Sequence, residues 1–282
     1  MVTSGPARRA ATTSVRVCAV DGDTVRERPD KVVTEEPMEI RLHGPGQEPD
    51  ALAVTMRTPG NDFELAVGFC LTEGLLGNAD ELDTVAYCLA GQGEQEYNVV
   101  TVKLRRPVDR RGHERAFVAN ASCGLCGKTT LDDVEQHCSP VAPGPTVGRS
   151  VVAALPARLR AAQSVFDATG GLHAAARFTA DGELVAVRED VGRHNALDKL
   201  VGHALLERQL PLRDDVLMVS GRVSFEIVQK AAMAGIPVVC AVSAPSSLAI
   251  DAARRLGQTL VGFVRGDSAN VYTHPERLDL ER

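Results

Sequence analysis

Residues 216–264 read VLMVSGRVSFEIVQKAAMAGIPVVCAVSAPSSLAIDAARRLGQTLVGFV, and the fold turns on this stretch. Three apolar runs, Val216–Val219, Pro237–Val242 and Thr259–Val264, alternate with two stretches of helical period, Ser224–Ala234 and Ser246–Leu256. Strands without polar alternation are buried on both faces, and strands separated by single helices pair in parallel through right-handed crossovers. The expectation is a βαβαβ unit, an α/β sheet covered by helices on both sides. Such sheets bind ligands outside the carboxyl ends of their strands. Three segments directly follow the strands: Ser220-Gly221-Arg222, Ser243-Ala244-Pro245-Ser246-Ser247 and Arg265-Gly266-Asp267-Ser268. Two of them open helices and offer free backbone N–H groups, while Arg222 and Arg265 add charge, so this rim suits a phosphate or pyrophosphate. Serines and glycines are also ordinary capping and turn residues, and no Walker or dinucleotide fingerprint accompanies them. The rim by itself names no nucleotide.

Upstream, the pattern predicts a helix over Pro156–Thr169, a β-hairpin from Leu172–Phe178 and Glu183–Arg188 around Asp181-Gly182, and a helix capped by Asp190 that runs to about Arg208. The junction Glu189-Asp190-Val191-Gly192-Arg193-His194-Asn195 is densely polar. Capping by Asp190 leaves Arg193, His194 and Asn195 unexplained on the first turn, and they are pocket candidates. His173, after Gly170-Gly171, reads equally as a cleft residue or as a buried, hydrogen-bonded histidine. Three prolines and two glycines between Ser139 and Ser150 mark a domain boundary.

The first half changes character. Residues 1–14 read as a mobile tail. Strand-like runs at Val32–Thr34, Met38–Leu42 and Ala51–Met56 precede a helix capped by Asp62, and further strands are expected at Val85–Leu89, Asn98–Leu104 and Arg115–Val118. This is an α+β pattern with a mostly antiparallel sheet. With 282 residues the chain is near the length at which one core gives way to two. The expected organisation is a tail at 1–14, an α+β domain at 15–145 and an α/β domain at 146–282.

Seven cysteines, an odd and scattered count, do not resemble a secreted disulfide framework. Cys70, Cys88 and Cys240 lie in apolar patterns and read as small core residues. Cys123 and Cys126 form a Cys-x-x-Cys pair on an expected loop, Ala121-Ser122-Cys123-Gly124-Leu125-Cys126-Gly127. Such a pair supports disulfide exchange, metal binding or a persulfide. Together with His137 and Cys138 it supplies four possible zinc ligands, although adjacent His137 and Cys138 diverge on a helix or strand. A formal charge of −6 argues against a nucleic-acid coat. No apolar leader and no run long enough to span a bilayer are visible, so the cytoplasm is the expected location, with no membrane contact.

On these residues the chain resembles the FdhD/NarQ family of formate dehydrogenase accessory sulfurtransferases. The resemblance rests on Ser122–Gly127, Gly171-Leu172-His173-Ala174-Ala175, Glu189 through Lys199, Ser220-Gly221-Arg222 with Ser224-Phe225-Glu226, Ala244-Pro245-Ser246-Ser247 and Val271-Tyr272-Thr273-His274-Pro275. It implies a C-terminal three-layer domain of cytidine-deaminase-like fold, a homodimer, and a persulfide on Cys123 with Cys126 as its partner. It also implies that Phe263, Val264, Arg265, Gly266, Asp267 and Ser268 bind the bis(molybdopterin guanine dinucleotide) molybdenum cofactor. Ser220, Arg222, Ser243, Ser246 and His194 complete the expected cleft. Deaminase chemistry does not follow, because its zinc site needs His-x-Glu followed by Pro-Cys-x-x-Cys, and Ser122 precedes the cysteines here.

The implied activity is sulfur transfer from a cysteine desulfurase to that cofactor, held as a bound substrate, before insertion into apo formate dehydrogenase. No permanent cofactor and no resident metal are expected. Two rivals remain: a non-catalytic cofactor chaperone with structural zinc at the cysteine loop, and a thiol oxidoreductase cycling a Cys123–Cys126 disulfide.

Overall fold

The computed structural model describes residues 10–88, 97–108, 117–119 and 138–280. It opens on an antiparallel hairpin of β1 (Thr12–Asp21) and β2 (Thr24–Val33), joined through Gly22-Asp23 with Gly22 at φ 56°. Residues 12–14, expected within the tail, are therefore strand, and the expected run at Val32–Thr34 is only the end of a longer strand. Both faces of the hairpin stay largely in water, with Val20 70% and Val25 63% exposed, so no buried side imposes the alternation that marks a strand.

The next elements are β3 (Glu36–His43), β4 (Asp50–Arg57), α1 (Asp62–Thr72), β5 (Leu82–Tyr87), β6 (Val99–Leu104) and β7 (Phe117–Ala119). The sheet order is β5-β6-β3-β4-β7. It is not mostly antiparallel: β3–β4 and β5–β6 are, but β3–β6 and β4–β7 run parallel. The helix cap differs as well. Asn61, in the left-handed region at φ 58°, is the N-cap of α1, and Asp62 is instead buried against Arg57, whose Nη2 lies 3.0 Å from Asp62 Oδ2.

The second sheet is built from β9 (His173–Phe178), β10 (Leu184–Asp190), β11 (Val216–Val219), β12 (Val238–Ala241), β13 (Thr259–Arg265) and β14 (Ser268–Thr273), preceded by the short β8 (Val147–Gly148) and followed by β15 (Leu278–Asp279). Its order is β10-β9-β11-β12-β13-β14. The central strands β11, β12 and β13 are parallel, as their apolar runs predict, and antiparallel neighbours flank them on both sides. Strand β14 was not expected. Its residues Ser268, Ala269 and Asn270 are exposed, so no buried apolar run marks its start.

Helices α2 (Arg149–Ala162), α3 (Ser164–Thr169), α4 (Arg193–Leu206), α5 (Phe225–Met233) and α6 (Ser247–Arg255) supply the other layers. Pro156 lies inside α2 rather than opening it, so the helix starts seven residues earlier than its sequence suggests. Val152, Leu155 and Leu159 of α2 cluster with Phe178, Met218, Val238, Cys240 and Val261. The other side chains of the same strands, Leu217, Val219, Val239 and Ala241, join Leu197, Leu200 and Val201 of α4 and the apolar residues of α5 and α6. Met38, Ile40 and Leu42 of β3 and Leu65 and Phe69 of α1 belong to this same cluster, so one core is shared by both sheets. Each such fully buried side chain stabilises the fold by about 1.5–3 kcal/mol.

Candidate functional site

Parallel strands β11, β12 and β13 end on one edge, and antiparallel pairing brings the start of β9 and the end of β10 to that same edge. Backbone bonds brace the loops there. Val223 N donates to Ala244 O at 3.1 Å, Ser246 N to Val223 O at 3.0 Å, and Phe263 N to Ser243 O at 3.2 Å. The segments that follow β11 and β12 are thus joined to each other and to Phe263 of β13.

Within this rim the expected residues divide by role. Ser220 Oγ accepts from Ala174 N at 2.9 Å, tying β9 to the rim, and Ser246 Oγ accepts from Ala249 N at 3.2 Å as the N-cap of α6. Val264 is fully buried in the core beneath α2. Phe263 sits at φ 52° within an irregular part of β13, a left-handed backbone that costs a non-glycine residue about 1–2 kcal/mol. The Arg265 guanidinium lies 5.8 Å from the centre of the Phe263 ring. Gly266 and Asp267 form the turn into β14 at Ser268 and line a cleft of about 100 Å³ with Arg149 and Val152 of α2. Cys123 and Cys126 lie outside the described residues.

The polar junction at residues 189–199 is mostly a clamp. Glu189 accepts from the backbone N–H groups of Val165 and Phe166 at 3.0 and 2.8 Å, serving the start of α3. Asp190 is not the N-cap of α4; Gly192 is. Instead the fully buried Asp190 carboxylate accepts from Thr58 N at 3.1 Å, Gly192 N at 2.8 Å and Asn195 Nδ2 at 3.0 Å, and pairs with Lys199 Nζ at 2.7 Å. Asn195 also donates to Met56 O at 2.8 Å. Asp190, expected as a cap, and Asn195, expected as a pocket residue, therefore fasten β4 and the segment after it to α4.

Arg193, His194 and His173 are left facing the rim. A β-carbon on Gly221 would lie 3.3 Å from His173 Nδ1 and 3.8 Å from Arg193 Cδ, so this glycine lets the loop close on both. Burial, and then the charges of Arg193 and Arg222, hold the His173 pKa below the usual imidazole value. Burial with Arg193 and Lys230 pushes His194 down to about 3, so it is neutral near pH 7. Its Nε2 lies 3.0 Å from Ser224 Oγ and 3.2 Å from Glu226 Oε2. Because both groups meet the same ring nitrogen, this is not a serine–histidine–carboxylate relay, which needs one partner on each nitrogen. Burial raises Glu226 to about 7. Among the described residues, Arg193 Nε and Glu226 Oε2 are buried without a hydrogen-bond partner.

Glu226 and Lys230 had no place in the sequence reading beyond Glu226 closing a quoted motif. A glutamate on the first turn of a helix reads as dipole compensation, and an i,i+4 Glu–Lys pair as a surface bridge. Both are instead buried. Lys230 Nζ bonds Thr72 Oγ1 at 2.9 Å and both Asp198 oxygens at 3.0 Å, linking α5 to α1 and α4. The remaining cysteines fit their expected packing role in part: burial pushes the Cys240 thiol up to about 12 and Cys70 higher still, whereas Cys88 is only half-buried. Among the described residues no group of histidine, cysteine and carboxylate side chains could hold a metal ion, and no helix is long and apolar enough to cross a membrane.

Residues 33–279 match the FdhD/NarQ family. The chain belongs to this family. Among FdhD/NarQ relatives, the sulfur carrier protein FdhD of Streptomyces avermitilis is 54% identical over 94% of this chain and 95% of its own length. The sulfur carrier protein FdhD of Mycobacterium tuberculosis is 49% identical over 95% and 99%, and that of Sulfurisphaera tokodaii 44% over 94% and 98%. A crystal structure of a protein described as a formate dehydrogenase accessory protein, from Desulfotalea psychrophila, superposes with a TM-score of 0.74 at 23% identity, covering 95% of this chain and all of that one. At that identity the likeness speaks for the fold alone.

Proposed function

We propose that this chain is a sulfur carrier that serves a formate dehydrogenase, taking persulfide sulfur from a cysteine desulfurase and passing it to the bis(molybdopterin guanine dinucleotide) molybdenum cofactor. Its FdhD/NarQ membership supports the sulfur-carrier reading, since the relatives above carry that name. The observation that carries the cofactor half is the cationic strand edge. Arg193, Arg222 and His173 gather around Gly221, and Arg193 Nε is buried with no partner, an arrangement suited to the phosphates of a nucleotide tail. Arg265, on the stretch Phe263–Ser268, adds a further cation on the adjoining strand end.

In this reading the Cys123 thiolate attacks the outer sulfur of the desulfurase persulfide. The donor S–S bond breaks, the donor leaves as a thiolate, and Cys123 holds the new persulfide, with Cys126 as relay or resolving thiol. The S–S bond on Cys123 then breaks, its thiolate is regenerated, and the terminal sulfur becomes a sulfide ligand of the metal of the bound substrate, which supplies the two electrons, before the cofactor enters the apo-dehydrogenase. A cytidine-deaminase-like domain, a homodimer and a cytoplasmic location complete the reading. The parallel β11-β12-β13 core with helices on both faces accords with the first of these.

The deciding experiment incubates the purified protein with a cysteine desulfurase and [35S]cysteine. Label that is retained on the wild type, released by dithiothreitol and absent from Cys123→Ala is the expected result. Stoichiometric zinc with no retained label would overturn it in favour of a cofactor chaperone.

A further inference from the structure

The loop after β3 borders a cleft of about 420 Å³ at the outer end of the first sheet, lined by His43, Pro45 and Gly46 on one side and by Asp83, Lys103 and Arg105 on the other. Its lip is rigid and bare. Gln47 N donates to Gly44 O at 3.2 Å, and Gly46 takes the φ of 73° that the third position of a type II turn demands. The Gln47 side chain pins this turn: Oε1 accepts from Gly44 N at 3.0 Å and Val108 N at 2.8 Å, and Nε2 donates to Val108 O at 3.0 Å. Gly44 lies against the backbone beyond β6, where a β-carbon would strike Arg106 O at 2.2 Å. The opening is therefore held by the fold.

Its other wall carries an excess of positive charge. Lys103 is the cross-strand neighbour of His43 in the β3–β6 pairing, and Arg105 follows two residues on. Asp83 is the extra residue of a bulge between the Leu82–Leu104 and Thr84–Lys103 pairs, a device that re-aims a side chain. It meets Lys103 Nζ at 2.8 Å but Arg105 Nη1 only at 3.7 Å, too far for a hydrogen bond. The hydrogen bond from Lys103, and then the charges of Arg105 and His43, hold the Asp83 carboxyl below its usual value, so all three bear on one carboxylate. His43 Nδ1 donates to Gln47 O at 3.1 Å, which leaves the other ring nitrogen to a ligand. Cations gathered on adjacent strands repel one another, and in a chain of formal charge −6 their meeting at an open cleft points to an anion.

We propose that this cleft binds a phosphomonoester, with its phosphate against Arg105, Lys103 and His43 and its organic part along Pro45 and Gly46. Lys103 and Arg105 exceed Asp83 by one charge, and a proton on His43 makes the excess two, which matches the charge of about −2 on such a phosphate. A single carboxylate would leave half of that excess unanswered. The site is separate from the strand edge of the second sheet and does not depend on the proposed function. Strand β4 begins beside the cleft, where Asp50 pairs with Leu42, and runs about 24 Å before Thr58 meets the Asp190 clamp.

Calorimetry with inorganic phosphate, ribose 5-phosphate and acetate tests this on the wild type, Arg105→Ala, Lys103→Met and Arg222→Ala. The salt is set at about 0.15 M, where diffuse attraction is screened beyond about 8 Å. Both phosphates should bind the wild type, and acetate at least about tenfold more weakly. Arg105→Ala and Lys103→Met should each lose about ten- to a hundredfold in affinity for either phosphate while keeping the melting temperature of the wild type. Arg222→Ala, on the strand edge of the second sheet, should keep this binding. Affinity that falls with Arg222 and is untouched by Arg105 and Lys103 would place the phosphate on that edge and overturn the inference. Absence of binding by either phosphate, or acetate binding as tightly as they do, would overturn it too. Ribose 5-phosphate binding far more weakly than the bare ion would show that the cleft has no room for an ester.

Discussion

Gly68 on α1 and Gly202 on α4 mark a crossing at which the two helix backbones touch: a β-carbon on Gly68 would lie 1.9 Å from Asp198 O, and one on Gly202 would lie 1.8 Å from Glu64 O. Neither obstacle is a side chain that can turn away. Gly202→Ala must therefore push the helices apart, and with α4 move Arg193 and His194. Overpacking of this kind costs about 1–3 kcal/mol, and more where the backbone cannot yield. Thermal unfolding should show the larger loss, whereas Gly148→Ala, where an added β-carbon would meet nothing closer than 3.8 Å, should be mild.

The buried Asp190–Lys199 pair should respond unequally to its two deletions. Lys199→Met leaves the carboxylate its three other donors, Thr58 N, Gly192 N and Asn195 Nδ2. Asp190→Ala strands the Lys199 ammonium with carbonyl partners only and frees two backbone N–H groups, at a cost of about 3–5 kcal/mol. Urea denaturation should therefore rank Asp190→Ala as the more damaging change. Equal losses would show that the carboxylate's other bonds contribute little.

Two neighbouring groups give opposite pH dependences. Glu226 titrates near 7 when folded against an ordinary 4.5, so its contribution to stability is complete below pH 4.5 and is lost as pH rises towards 7. His194 titrates near 3 against 6.5, so its contribution is complete above pH 6.5 and is lost as pH falls towards 3. Between pH 4.5 and 6.5 the two slopes oppose each other. Glu226→Gln removes one of them, so its stability relative to wild type should climb between pH 4.5 and 7, by at most about 1.4 kcal/mol per pH unit, and stay level below that window. Chemical denaturation across this range would show it; a difference independent of pH would mean that Glu226 is ionised throughout.

Cys123→Ala should abolish formate dehydrogenase maturation in cells while the purified variant keeps the melting temperature of the wild type. Wild-type dehydrogenase activity in cells carrying only this variant would end the persulfide assignment. Cys126→Ala alongside it separates a relay, seen as partial loss, from an equal partner.

The sequence made the central strands and the rim legible because burial on both faces leaves a plain signature in Val216–Val219 and Val238–Ala241. It hid the β1–β2 hairpin, although Asp21-Gly22-Asp23 is a turn signal, because neither face is buried enough to sort its residues. Polar side chains were harder to read. Asp190, Asn195 and Lys199 carry the same residue types as a pocket, and only the proximity of Thr58 and Met56, more than a hundred residues away in the chain, makes them a clamp. Glu226 stayed unread for the converse reason, since nothing local distinguishes a buried first-turn glutamate from an exposed one.

The apolar cluster shared by both sheets bears on how the polypeptide tolerates being cut. The stretch between them is pinned to the body: Val141 N donates to Leu256 O at 2.9 Å, and a β-carbon on Gly144 would strike Pro237 Cγ at 2.2 Å. A protease nick there would separate the chain into two pieces without separating the molecule, because Met38, Ile40 and Leu65 on one piece and Leu197, Leu200 and Val201 on the other belong to one apolar cluster. Either fragment produced alone would expose that surface and aggregate; produced together, the two should find each other and refold.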